Sequence, residues 1–145
     1  MLTRSDTSVS TSAASASQDA LAAAWVAQRE AAADGFDWPS VEGVLDKLHE
    51  EIKELRVALD QGNMPLAHRE VGDLLFTLVN VARFLGTPPA AALADATARF
   101  QRRYAWVCAE LSKNGIRVKD CDIKVLDDYW NMAKRFVGDA PEKLT

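Results

Sequence analysis

The chain has 145 residues, room for one domain of ordinary size, and its 48% hydrophobic content is enough to build a core. A formal net charge of -4 leaves no basic footprint of the kind polymer nucleic acid requires, which argues against that class of partner. No apolar run approaches the roughly 20 residues of a membrane span and no apolar signal core follows Arg4, while Cys108 and Cys121, in no metal or redox spacing, are expected as free thiols in a reducing cytoplasm.

Residues 1–17 are mostly Ser, Thr and Ala with almost no large apolar side chain to repay ordering after Leu2, and predict a flexible arm. Ser17 or Asp19 caps a first helix that runs to about Ala33 and ends at Asp34-Gly35. The turn from Gly35 to Ser40 carries Phe36, Trp38 and Pro39. It serves either as a staple onto the next helix or, through Trp38, as a lid or base-stacking platform.

A second helix spans about Val41 to Leu59, with Val41, Val44, Leu45, Leu48, Ile52, Leu55 and Leu59 as its expected buried stripe. Gln61-Gly62-Asn63 and Pro65 open a third, which ends at Gly86 and is apolar on nearly every side from Leu74 to Leu85, the pattern of a helix buried all round. Gly72 inside it predicts a close approach by a neighbouring backbone or a ligand. The fourth helix starts at Thr87-Pro88 and stops at Asn114-Gly115. Arg103 falls in its apolar arc, Arg99 at the edge, and Arg102 faces away. Asp122 caps a fifth helix to about Phe136, in which Ile123, Leu126, Trp130, Ala133 and Val137 share a face and Lys134 lies one turn beyond Trp130. The fold class is all-α: an antiparallel bundle of four core helices plus an N-terminal helix over residues 18–137, completed by dimerisation, with a tail at 138–145.

Two acid pairs stand out. Glu51 with Glu54, and Glu70 with Asp73, are each three residues apart and so lie on one face of their helices. Four carboxylates converging between two helices repel one another unless a cation lies among them, and hard oxygen ligands suit Mg²⁺ or, in its place, Mn²⁺. Glu70, Asp73, Thr77 and Asn80 also form one polar line down an otherwise apolar helix. Such a site activates water against a phosphoanhydride, with nearby Lys and Arg offsetting charge and no covalent intermediate. The alternatives are a non-catalytic helical nucleotide-binding or interaction module whose acids are surface charge, and a carboxylate-bridged di-iron bundle. The second wants Glu-x-x-His on two helices, and Asp46-x-x-His49 is its only near match.

From Gly35 to Arg135 the motifs form an ordered set: Gly35-Phe36-Asp37-Trp38-Pro39, Val44-Leu45-Asp46-Lys47, the EExxE of Glu50, Glu51 and Glu54, the ExxD of Glu70 and Asp73 within GDLLFTLVNVAR, the run Arg99 to Tyr104, and Trp130 with Lys134. In this order the chain resembles the MazG-type all-α nucleoside triphosphate pyrophosphohydrolases. The resemblance implies hydrolysis of an NTP or dNTP to the monophosphate and pyrophosphate, with Mg²⁺, on a homodimer or homotetramer. It further implies that Glu51, Glu54, Glu70 and Asp73 hold the metal and that Glu50 orders a water or acts as base. Lys47, Arg99, Arg103 and Lys134 would face the triphosphate, and Asn80 and Trp130 the sugar or base. Two positions depart from the pattern: Arg69 stands where many relatives have an acid, and Arg99-Phe100 where many have Lys-Phe.

Overall fold

The computed structural model describes the backbone of residues 8–138 and the side chains of residues 20–138. Among them are five α-helices, one 3-10 turn and no strand: α1 Ser8–Ala33, α2 Val41–Asp60, α3 Met64–Phe84, α4 Pro89–Lys113, the turn Val118–Asp120, and α5 Ile123–Phe136. The all-α expectation is met. Helix limits fall within about two residues of those read from the pattern, except that α1 already begins at Ser8, inside the stretch read as an arm. Extending a helix already nucleated in the alanine-rich stretch from Ala20 gains one backbone hydrogen bond per residue, so the helix continues back through a Ser/Ala segment that has no apolar pattern of its own. The remaining arm residues 1–7 and the tail residues 139–145 lie outside the described residues.

The helix ends follow local chemistry. Asn63 Oδ1 accepts from the Leu66 N–H at 3.1 Å and Asp122 Oδ1 from the Val125 N–H at 2.9 Å, capping α3 and α5. Ser40 occupies the cap position of α2 without making the capping bond. Its hydroxyl instead bonds the Glu42 carboxylate and lowers that group's pKa. Gly35 (φ 87°) and Gly115 (φ 68°) end α1 and α4 in the left-handed region that glycine enters without strain.

The chain divides into two compact units, one ending at Ala92 and one starting at Leu93. In the first, α3 packs on both α2 and α1, and the short link 61–63 makes α2 and α3 antiparallel neighbours. Helix α2 buries Val44, Glu51 and Ala58, seven residues apart, against α3, which buries Ala67, Glu70, Thr77 and Val79. Leu45, Ile52 and Leu59, expected inside, are 39%, 40% and 54% exposed. The buried line of α2 therefore lies about a quarter-turn from the centre of its apolar stripe, with Glu51 in its middle rather than at its edge.

Helix α3 also differs from expectation. Val71, Leu75, Leu78 and Leu85 share one exposed flank, so the unit does not bury this helix all round. No atom lies within 4 Å of where a Cβ on Gly72 would stand, and the close approach predicted there is not made by the described residues.

In the second unit α4 and α5 close around Val107, Leu111 and Ala133, with Trp106, Leu126 and Trp130 packed against that cluster. Phe100 is 55% exposed and meets Tyr104 and Trp130 at ring distances of 5.9 and 5.4 Å, so it joins an aromatic group instead of a closed core. Ile123, the first residue of α5, is exposed. Both cysteines are free. Among the described residues no single helix is long and apolar enough to cross a membrane.

Candidate metal centre

The antiparallel pairing of α2 and α3 brings the two acid motifs face to face. One carboxylate oxygen each from Glu51, Glu70 and Asp73 lies within 4.8 Å of the other two. Glu51 is 4% exposed and Glu70 only 1%, whereas Asp73 opens to solvent. Lys47 Nζ, one turn before Glu51 on α2, donates to Glu51 Oε1 at 2.7 Å and to Glu50 Oε2 at 2.9 Å. Arg69 Nη2 reaches Glu70 Oε1 at 3.2 Å from an exposed position. Glu51 Oε2 and Glu70 Oε2 remain buried without a hydrogen-bond partner. Buried carboxylate oxygens need partners. Two such oxygens beside a third acid fit a hard divalent cation, which takes oxygen ligands of this kind.

The electrostatics match this reading. The hydrogen bond from Lys47 holds Glu51 below the usual carboxylate range against the opposing effect of burial, and the Lys47 ammonium is pushed up in return by Glu51 and Glu50. Glu54 is exposed and is not among the three acids whose oxygens converge. Its side chain borders them, and loss of water contact followed by the charge of Glu51 raises its pKa, with Lys47 opposing and Glu70 adding to the rise. Glu50 is exposed and turned to Lys47.

A second feature lies along α3. Thr77 is buried and Asn80 half-buried on the same line as Glu70 and Asp73, as the polar spacing predicts. At 1.5 Å per residue, Asn80 stands about 10 Å from Asp73 along the axis. There a cavity of about 430 Å³ opens between α1, the turn after it and α3, walled by Gln28, Phe36, Trp38, Phe76, Asn80 and Arg83. Trp38 thus lines a cavity, and its ring also lies against α2: a Cβ on Gly43 would meet Trp38 Cε3 at 3.0 Å.

Three polar residues of this cavity have no role in the sequence-based expectations, although Asp37 and Arg83 lie within the motifs. Gln28 is 6% exposed, and its Nε2 donates to the Phe76 carbonyl at 2.8 Å. Arg83 donates through Nη1 to Asp37 Oδ2 at 2.9 Å and through Nη2 to Asp37 Oδ1 at 2.5 Å, while Nε and Nη2 reach Asn80 Oδ1 at 3.0 and 2.7 Å. Arg83 lowers the Asp37 pKa, chiefly through these hydrogen bonds. Asp37 and Arg83 lie 46 residues apart, so no local pattern joins them. Gln28 is one of two glutamines in an alanine-rich helix, and only the third helix packed beside it gives it meaning.

The remaining candidates belong to the second unit. Arg99, Arg102 and Arg103 are all half-buried and each engages a neighbour, so Arg102 is no more solvated than Arg103. Trp130 is half-buried beside the Val107 cluster, and exposed Lys134 donates to Asn131 Oδ1 at 3.2 Å.

No family model matches the chain. Curated proteins do, among them the following two. A Thermotoga maritima protein named nucleoside triphosphate pyrophosphohydrolase/pyrophosphatase MazG is 41% identical over 107 residues, 74% of this chain and 41% of that protein. An Escherichia coli K12 protein named nucleoside triphosphate pyrophosphohydrolase is 36% identical over 113 residues, 74% of this chain and 42% of that protein. The chain spans about two fifths of the length of these relatives. The MazG-type resemblance read from the motifs is borne out over the matched segment.

Proposed function

We propose that this chain, a relative of the MazG-named pyrophosphohydrolases, hydrolyses nucleoside triphosphates to the monophosphate and pyrophosphate with the help of Mg²⁺. One observation carries the reading: Glu51 and Glu70, both buried, each keep a carboxylate oxygen without a partner beside the converging oxygen of Asp73. A structural ion pair would have filled those oxygens, and a solvated face would have exposed them.

Glu51, Glu70 and Asp73 would hold the cation, which supplies positive charge at the phosphates and a more acidic water. The chain's own groups complete the chemistry. Lys47 fixes the Glu51 carboxylate and keeps positive charge beside it throughout turnover. Glu54, bordering the three converging acids, is placed to accept the proton of the attacking water or to join them as a fourth ligand. Glu50, held by Lys47, orders solvent at the rim. The cavity some 10 Å along α3 suits the nucleoside end of the substrate, with Trp38 as a stacking wall and Asn80 as a polar contact. Arg99, Arg103, Lys134 and Trp130 keep the triphosphate and base roles that the family resemblance implies.

The apolar flanks of α2 and α3 support a homodimer or a higher homo-oligomer. Leu45, Ile52 and Leu59 on one helix, and Val71, Leu75 and Leu78 on the other, are exposed at helical spacing, and a symmetric copy is the simplest cover for such surfaces.

The test is to incubate the protein with each NTP and dNTP plus Mg²⁺ and to identify the phosphate product. Pyrophosphate in equal amount to the monophosphate is the expected result, abolished by EDTA and lowered at least about a hundredfold in Glu51→Gln and Asp73→Asn, as when a ligand of a catalytic ion is lost. Orthophosphate as the sole product, or unchanged rates in both variants, would overturn the reading.

A further inference from the structure

We propose that Arg83 is a positioning residue for the nucleoside end of the substrate: it holds Trp38 in place through Asp37 and turns Asn80 so that only its amide N–H groups face the ligand. The inference rests on the reading of the cavity as the nucleoside subsite.

Arg83 has the marks of a latch and lacks those of a phosphate grip. Its side chain is only 13% exposed, and four of its five N–H donors are taken by Asp37 and Asn80. Both Asp37 oxygens lie opposite the guanidinium, so its charge is already met, and its plane rests over the Phe84 ring at 4.8 Å. An arginine so occupied has little left to offer an anion. What it does instead is transmit. Asp37 Oδ1, gripped by Arg83, also accepts from the backbone N–H of Trp38 at 2.8 Å. The chain of contacts therefore runs from α3 through one carboxylate to the peptide that carries the indole. The ring itself lies against Gly43 of α2, where an added Cβ would stand 3.0 Å from Cε3. Trp38 is held from two sides, in a turn whose neighbour Phe36 is 85% exposed.

The second contact sets hydrogen-bond polarity. Asn80 Oδ1 accepts from both Nε and Nη2 of Arg83, and reversing the amide would set its NH₂ against those donors. Asn80 is thereby left with donors alone toward the cavity. The ligand atom opposite it must be an acceptor: a base carbonyl, a ring nitrogen or a sugar oxygen. A pre-fixed ring and a pre-oriented amide remove ordering costs that binding would otherwise carry.

The experiment compares Arg83→Met, Arg83→Lys and Asp37→Asn with the unaltered protein. Its readouts are KM and kcat for a nucleoside triphosphate, the affinity for the matching nucleoside monophosphate, and the affinity for inorganic pyrophosphate with Mg²⁺. In Arg83→Met the expected result is a rise of about tenfold or more in KM and in the monophosphate dissociation constant, with kcat within about threefold and pyrophosphate affinity unchanged. Arg83→Lys should recover part of the loss, because an ammonium still pairs with Asp37 but does not span both partners. Asp37→Asn frees the turn without touching Asn80 and should show a smaller rise of the same kind. It serves if Arg83→Met does not fold. Equal losses for nucleotide and pyrophosphate, or no loss for either, would overturn the positioning role. Absence of hydrolysis of any triphosphate by the unaltered protein, with the monophosphate still bound in an Arg83-dependent way, would sink the proposed activity and leave the positioning role standing. A monophosphate that does not bind at all would end both.

Discussion

Glu70 offers the sharpest test of the acid cluster, because its charge is costly to the fold and useful only to a cation. Glu70 is 1% exposed, and one of its carboxylate oxygens lies within 4.8 Å of oxygens of both Glu51 and Asp73. At an effective dielectric near 20, two like charges at that separation repel by about 3.5 kcal/mol, and at a water-like value by about 0.9 kcal/mol. The buried pair with Glu51 belongs near the first figure, reduced by about half because Lys47 sits on Glu51, and the exposed Asp73 near the second. The 3.2 Å contact from Arg69, whose side chain is 71% exposed, returns at most about 1 kcal/mol. Glu70→Gln should therefore stabilise the metal-free protein by about 1–2 kcal/mol, or roughly 4–8 °C in Tm for a domain of this size. Magnesium at a hundred times its dissociation constant stabilises the unaltered protein by about 2.7 kcal/mol through linkage, and the variant far less. Thermal unfolding followed by circular dichroism, in EDTA and in excess Mg²⁺, should thus show the order of the two proteins reverse. A variant less stable than the parent in EDTA, or one that gains as much from Mg²⁺, would refute the argument.

The remaining expectations are quicker to state. The Asp37 pKa is depressed by Arg83, so the pair stabilises above the ordinary carboxylate value and fades as pH falls through the lowered one. The gap in Tm between the parent and Asp37→Asn should be present at pH 7 and shrink steadily as pH falls below the ordinary carboxylate value; a constant gap would deny the link. Leu75→Asp and Ile52→Asp place a charge on the open apolar flanks and should yield a smaller species by light scattering, with helicity retained. An unchanged mass in both would place the interface elsewhere. Arg103→Ala should weaken triphosphate binding more than Mg²⁺ binding, and equal losses in titration calorimetry would mark the residue as structural.

Much of this was legible in the chain. Helical spacing located all five helices, and the ExxE and ExxD pairs predicted that acids from α2 and α3 would meet. Three of those four acids converge; Glu54 stays one turn along the flank of α2, a difference that periodicity alone does not resolve because it fixes a face and not a depth. The same limit explains why Leu45, Ile52 and Leu59 were read as buried. Apolar patterning reports every surface a helix will cover, including those left open within one copy. Gln28 and Arg83 were invisible for another reason: their partners are 48 and 46 residues away, and a single polar residue in a helix has no period. The Ser/Ala-rich start of α1 has no large side chains and so no apolar pattern, yet it continues the helix that follows it.

Gly43 has a consequence for how substrate preference is tuned in a protein of this design. With only 3.0 Å between the indole and the site of a side-chain carbon, the smallest possible enlargement, Gly43→Ala, would make the ring give by a few tenths of an ångström and reshape the hollow it borders. If that hollow takes the nucleoside end as proposed, a residue that touches no substrate thereby acts as a dial on the breadth of the chamber and on which bases it admits.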